Sequence, residues 1–148
     1  MSTKWLGYNN VGISAVALMS VLSHARFLTI PKALLVMPLV MHEATIRFLS
    51  HGGVRKREAA ALASTHPEFF ANFSTRFDES LSSSLNAIQL LDASGFLRFH
   101  DGLHLLSSLG VDSTFGARAK KIAKAGENIA ALLASPVEEL YLNFRVQL

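Results

Sequence analysis

The stretch from Pro31 to Ser50, PKALLVMPLVMHEATIRFLS, constrains the fold more than any other part of the chain. Its apolar run, Ala33 to Met41, is nine residues long and carries Pro38 in its middle. A helix crossing a bilayer needs about 20 apolar residues, so this run is too short to span one. On a helical wheel Leu34 to Met41 is apolar on every side, the pattern of a helix buried inside protein. Pro38 has no amide hydrogen and either kinks that helix or starts a new one. Beyond it the segment turns two-faced. Glu43 and Arg47 stand four residues apart, while Ile46, Phe48 and Leu49 fall on another side.

The flanking segments are helical as well. Gly12 to Ala25 is an apolar helix candidate, with Asn9 or Asn10 available as its cap. Ser50 to Glu58 reads as a loop that ends in Arg55-Lys56-Arg57, followed by a short helix that Pro67 stops. Thr65, Pro67 and Glu68 have the spacing of a cap, a first-turn proline and a capping-box acid. The helix they open carries Phe69, Phe70, Phe73 and Phe77, and continues through Leu81, Leu85, Ile88 and Leu91 at three- and four-residue steps. Near the C-terminus, Ala117 to Leu133 gathers Ala119, Ile122, Ala123, Ile129, Ala130 and Leu133 on one arc. Lys120, Lys121 and Lys124 lie opposite. Ser135, Pro136 and Glu138 then predict the start of a last helix ending near Arg145.

Between these helices the period changes from four to two. Gly95 to Ser107, GFLRFHDGLHLLS, alternates on either side of Asp101-Gly102, a strong hairpin signal. The expected fold is therefore mainly α with one small β-hairpin, a winged-helix-like α-helical domain. At 148 residues one domain is expected over 1–148. Its helical part covers about 10–94, the wing about 95–107 and the C-terminal helices about 117–145.

Catalysis finds no foothold. His42-Glu43 matches the start of the zinc-protease motif HExxH, but Ile46 occupies the second histidine position. The remaining histidines fall on separate elements without ligand spacing, and there is no cysteine, so no metal is expected. No Gly-Lys pair exists to build a phosphate-binding loop, and the acidic residues form no visible acid/base pair. The expectation is a non-enzyme with no cofactor, no small-molecule substrate and no membrane span. The N-terminal residues lack the order of a signal peptide, which places the chain in the cytoplasm.

Two features point to contact instead. Half the residues are hydrophobic and 17% are charged, more apolar surface than a small core easily hides. Aromatic residues favour interfaces, so Phe69, Phe70, Phe73, Phe77, Tyr141 and Phe144 are either core or partner surface. His42, Glu43, Arg47 and Arg145 are polar candidates for the same surface. The second feature is the pair of basic clusters, Arg55-Lys56-Arg57 and Lys120, Lys121 and Lys124. These either contact phosphates or are solvated helix faces, in a chain of net charge +3. The helix before the hairpin has no arginine or lysine in DESLSSSLNAIQ, which speaks against base readout there.

Three stretches carry a family resemblance: Tyr8-Asn9-Asn10 ahead of a small apolar helix, MPLVMHEATIRFL (Met37 to Leu49), and SPVEELYLNFRV (Ser135 to Val146). In this order they resemble the middle component of bacterial three-component ABC systems, in which an LPLVLHxxTR-like segment and an LLGVRP-like tail occur. Here Arg47 follows Thr45 by two residues, and the tail lacks the glycine and the terminal proline. The resemblance implies a non-catalytic adaptor. It would link an SMC/Rad50-like ABC ATPase, which binds ATP and DNA, to an effector subunit in defence against phage and other mobile DNA. The alternative is a free winged-helix DNA-binding regulator.

Overall fold

The computed structural model describes residues 3–51, 54, 58–108 and 116–148, with side chains from residue 10 onward. Helix α1 spans Thr3–Ala25 and runs straight through Asn9 and Asn10. An asparagine caps a helix only where the backbone ahead of it leaves helical geometry, so neither residue is a cap here. From Ile13 to Leu22 the helix is buried, because the helices Phe73–Ala93 and Ala117–Leu132 enclose it. It ends at Arg26, whose φ of +69° is left-handed and whose N–H reaches the Leu22 carbonyl at 2.8 Å. That turn directs the chain into strand β1, Phe27–Leu28.

Pro31 to Ser50 is broken into short helices, α2 (Ile30–Ala33), α3 (Val36–Val40) and α4 (Glu43–Leu49). Pro38 sits in the first turn of α3, where no intrahelical N–H is required, so it helps to start a helix and kinks none. Every residue of α3 is buried, as an all-round apolar sequence demands. After α5 (Ala59–Thr65) the backbone differs from the sequence expectation. Thr65 is the last residue of α5 and its hydroxyl donates back to the Ala61 carbonyl at 2.8 Å, so it caps nothing beyond. His66 is driven out of helical geometry by the proline that follows it (φ −128°, ψ 64°), and one 3₁₀ turn, Pro67–Phe70, comes next. Helix α6, Phe73–Ala93, begins afresh. The phenylalanine stripe is thus divided, with Phe69 and Phe70 on the turn and Phe73 and Phe77 on the helix.

Helix α6 stops at Gly95 (φ +81°), with the Phe96 N–H closing onto the Leu91 carbonyl at 3.0 Å. Strands β2 (Leu97–Phe99) and β3 (Leu103–Leu105) form the expected hairpin, with Leu97 opposite Leu105 and Phe99 opposite Leu103. Gly102 is required there, since a Cβ would lie 2.5 Å from the Phe27 ring. β1 joins the far side of β3 and pairs Phe27 with His104 and Leu28 with Leu103. The sheet therefore has three strands, in the order β1-β3-β2, one more than the hairpin.

Helix α7 (Ala117–Leu132) lies along α1, burying Ala119, Ile122, Ala125, Gly126, Ile129 and Leu132. Ala123 and Ala130 flank that stripe, half-buried. Helix α8 is Val137–Asn143. Pro136 precedes it with extended backbone (ψ 144°), and the buried Ser135 hydroxyl has no hydrogen-bond partner, so the expected side-chain cap is not formed. Its C-terminus closes with the Val146 N–H on the Tyr141 carbonyl at 3.0 Å, leaving Arg145 left-handed at φ +61°. Among the described residues, each of the eight α-helices and three strands contributes buried side chains to one hydrophobic cluster. The fold is mainly α with a small antiparallel sheet, and no helix among the described residues is long and apolar enough to cross a membrane.

Candidate functional site

The polar end of the Pro31–Ser50 stretch becomes the outer surface of α4. His42 flanks its N-terminus with extended backbone, and His42 Nδ1 lies 2.7 Å from the hydroxyl of the fully buried Thr45. Burial, followed by the nearby Arg76 charge, pushes the His42 pKa below 6.5, with Glu68 opposing weakly. The ring stands edge-on to Phe69 at 6.1 Å. Glu43 occupies the first turn of α4, where a negative charge suits the helix dipole. It accepts a hydrogen bond from Lys121 of α7 at 2.9 Å and pairs with Arg47 at 3.6 Å. The Lys121 hydrogen bond, then its charge, and then Arg47 hold Glu43 below the usual carboxylate value.

Two groups that are far apart in sequence are thereby joined. Lys121 is tied to Glu43, while Lys120 and Lys124 remain on the exposed side of α7. These lysines line a shallow groove of about 340 Å³ together with Ser50, His51 and Ala117. Arg55, Lys56 and Arg57 lie outside the described residues. The chain next to them is held, however. The Val54 N–H donates to Asn128 Oδ1 at 2.9 Å, and Asn128 Nδ2 donates to the Leu49 carbonyl at 2.6 Å.

Most of the aromatic candidates are interior. Phe70, Phe73 and Phe144 are at most 1% exposed and pack on one another, Phe70 against Phe144 face to face at 4.5 Å. Phe69 and Phe77 are also buried. These rings fill the chain's own core because the 3₁₀ turn, α6 and α8 converge there, so a partner would reach Phe69, Phe70, Phe73 and Phe144 only if the fold opened. Arg76 seals this region. Its guanidinium donates to the Pro38 carbonyl at 3.1 Å and the Phe69 carbonyl at 2.8 Å, and stands 5.5 Å from the Phe73 ring centre. Burial lowers its pKa.

Tyr141 is different. Its hydroxyl donates to the Pro31 carbonyl at 2.6 Å, its ring meets Phe77 edge-on at 5.7 Å, and burial pushes its pKa to about 12. Together with Phe77 it lines an open groove of about 530 Å³ between α2, α6 and α8. Pro31, Leu34, Leu81, Val137, Glu138 and Leu148 complete the lining. Sequence reading found Phe77 and Tyr141 but not the groove, because Leu34, Leu81 and Val137 are ordinary helix-face residues until the three helices meet. Arg145 is exposed near the end of the chain. Other large apolar side chains also face outward, among them Phe48 (39% exposed), Leu85 (47%) and Phe99 (54%). Among the described residues no group of three or more histidines and acids is placed to hold a metal ion.

The model of the family "ABC-three component (ABC-3C) system Middle Component 3" matches residues 22–148. No match was found among curated proteins or among solved structures.

Proposed function

The chain belongs to the middle component 3 family of ABC-three component systems, and from that premise we propose that it is a non-catalytic adaptor. It would hold an SMC/Rad50-like ABC ATPase and an effector subunit together, within a cytoplasmic complex that acts against phage and other mobile DNA. The observation that carries this reading is the groove between α2, α6 and α8. Its lining is almost wholly apolar, yet it is open to solvent in the chain alone. Contiguous apolar surface of this kind marks a protein interface. The α4–α7 surface, with Glu43, Arg47 and Lys121 at its centre, supplies the charged rim that fixes register against a partner.

The chain order also fits a winged-helix arrangement, with α6 leading into the β2–β3 wing and β1 completing the sheet. A DNA-reading role for that arrangement is the weaker reading. α6 turns Asp78 and Glu79 outward, and its arginine, Arg76, points inward onto backbone carbonyls. Phosphate contact, if it occurs, would use Lys120 and Lys124 as accessory charges. The deciding experiment is affinity capture of the tagged chain from its native cells, with co-purifying proteins identified by mass spectrometry. Stoichiometric recovery of a coiled-coil ABC ATPase supports the adaptor. Recovery of the chain with DNA alone refutes it.

A further inference from the structure

A cleft lies beside the outer edge of the sheet. It measures about 520 Å³. Phe27, Leu28 and Thr29 form one wall, Glu127, Ala130 and Ala131 of α7 with Ala134 just beyond its end the other, and His24 and Ala25 close one end. β1 is an edge strand, since the sheet runs β1-β3-β2. Its hydrogen bonding to β3 fixes which backbone groups remain on the outer side. The Leu105 N–H donates to the Arg26 carbonyl at 3.0 Å, so Arg26 and Leu28 are the residues bonded to β3, and Phe27 opposite His104 is the non-bonded pair. By this alternation the N–H and C=O of Phe27 point away from β3, as does the N–H of Thr29. Thr29 is still extended, at φ −67° and ψ 156°.

We infer that this cleft receives an extended peptide segment of another component of the system, added as a fourth strand on β1. The inference rests on the adaptor reading and names a contact within it. An added strand advances about 3.3 Å per residue, so Phe27 to Thr29 pairs with two or three residues of the incoming segment. Main-chain hydrogen bonds to Phe27 and Thr29 hold it, and the other wall selects its side chains. The short side chains of Ala130, Ala131 and Ala134 leave room there for apolar side chains of moderate size. A rigid helix does not fit this arrangement, because its backbone groups are already bonded to one another and cannot engage the strand edge. The segment is distinct from whatever occupies the groove between α2, α6 and α8, as the two linings share no residue. A linking subunit requires two such surfaces.

The test is amide hydrogen exchange, read residue by residue, on the full chain alone and in the complex purified with its ATPase and effector components. The Phe27 and Thr29 amides exchange rapidly in the free chain and slow at least tenfold in the complex. In parallel, Ala131→Phe fills the cleft from the α7 side. It weakens capture of the partner at least tenfold while leaving the circular dichroism spectrum unchanged, and Ala131→Ser retains capture. A complex that forms with no slowing at Phe27 and Thr29 overturns the strand addition and leaves the adaptor reading intact. If no complex forms, both are overturned.

Discussion

Gly126 decides how closely α1 and α7 approach. A Cβ built on it would lie 2.5 Å from the Ser20 carbonyl oxygen and 2.8 Å from the carbonyl carbon. Both atoms are backbone, inside a buried helix that has no side-chain freedom with which to yield. Restoring ordinary contact at about 3.4 Å would push the two helices apart by nearly an ångström along their shared face, where Ala17, Val21, Ile122 and Ile129 are buried. Overpacking of this kind costs about 1–3 kcal/mol, and the upper end applies because the obstacle is main chain. Against it stands the helix-forming advantage of alanine over glycine, about 1 kcal/mol. The expected net effect of Gly126→Ala is a loss of about 2 kcal/mol, or a fall in Tm of roughly 6 °C for a chain of this size. Urea denaturation followed by circular dichroism measures it directly. The sign is the test, because an unhindered mid-helix glycine becomes more stable as alanine. A variant as stable as the parent, or more so, would refute the close α1–α7 contact.

Other outcomes follow from single residues. Arg26 holds a left-handed conformation that disfavours a Cβ by about 1 kcal/mol, so Arg26→Gly should raise stability by roughly that amount in the same urea titration. Arg76→Met keeps the apolar stem but strips donors from the carbonyls of Pro38 and Phe69, and should cost about 2 kcal/mol or more in unfolding free energy. His42 has a folded-state pKa below 6.5, so as pH falls the unfolded chain takes up its proton first. Its contribution to stability is present above about pH 6.5 and declines as pH drops from there through the folded pKa. The slope of stability against pH between 7 and 5 should therefore be shallower in His42→Asn than in the parent.

What the sequence disclosed depended on how local the physics was. The buried character of Val36 to Val40 was legible because an all-round apolar turn has nowhere else to go, and the Asp101-Gly102 turn because few residues tolerate left-handed backbone. The buried stripe of α7 was also legible in outline from its helical period. β1 was not, since two residues carry no period and Phe27–Leu28 is a strand only because β3 lies alongside. Thr65 misled because its hydroxyl serves equally well as a cap or as a back-bond to the preceding turn, and the choice was made by Pro67 and the 3₁₀ turn. The bridge from Lys121 to Glu43 joins residues 78 positions apart, and the two clefts are each assembled from separate elements. Such features exist only after the helices have packed.

The most direct test of the adaptor claim is reconstitution of the chain with its ATPase and effector components, comparing the parent with a variant carrying Leu34→Asp and Leu81→Asp in the open groove. Size-exclusion chromatography with light scattering should show one complex containing all three proteins for the parent. The variant should keep its folded circular dichroism spectrum but lose at least one partner. If the parent instead elutes alone as a homodimer, and binds DNA with an affinity that falls steeply with salt, the adaptor account is contradicted.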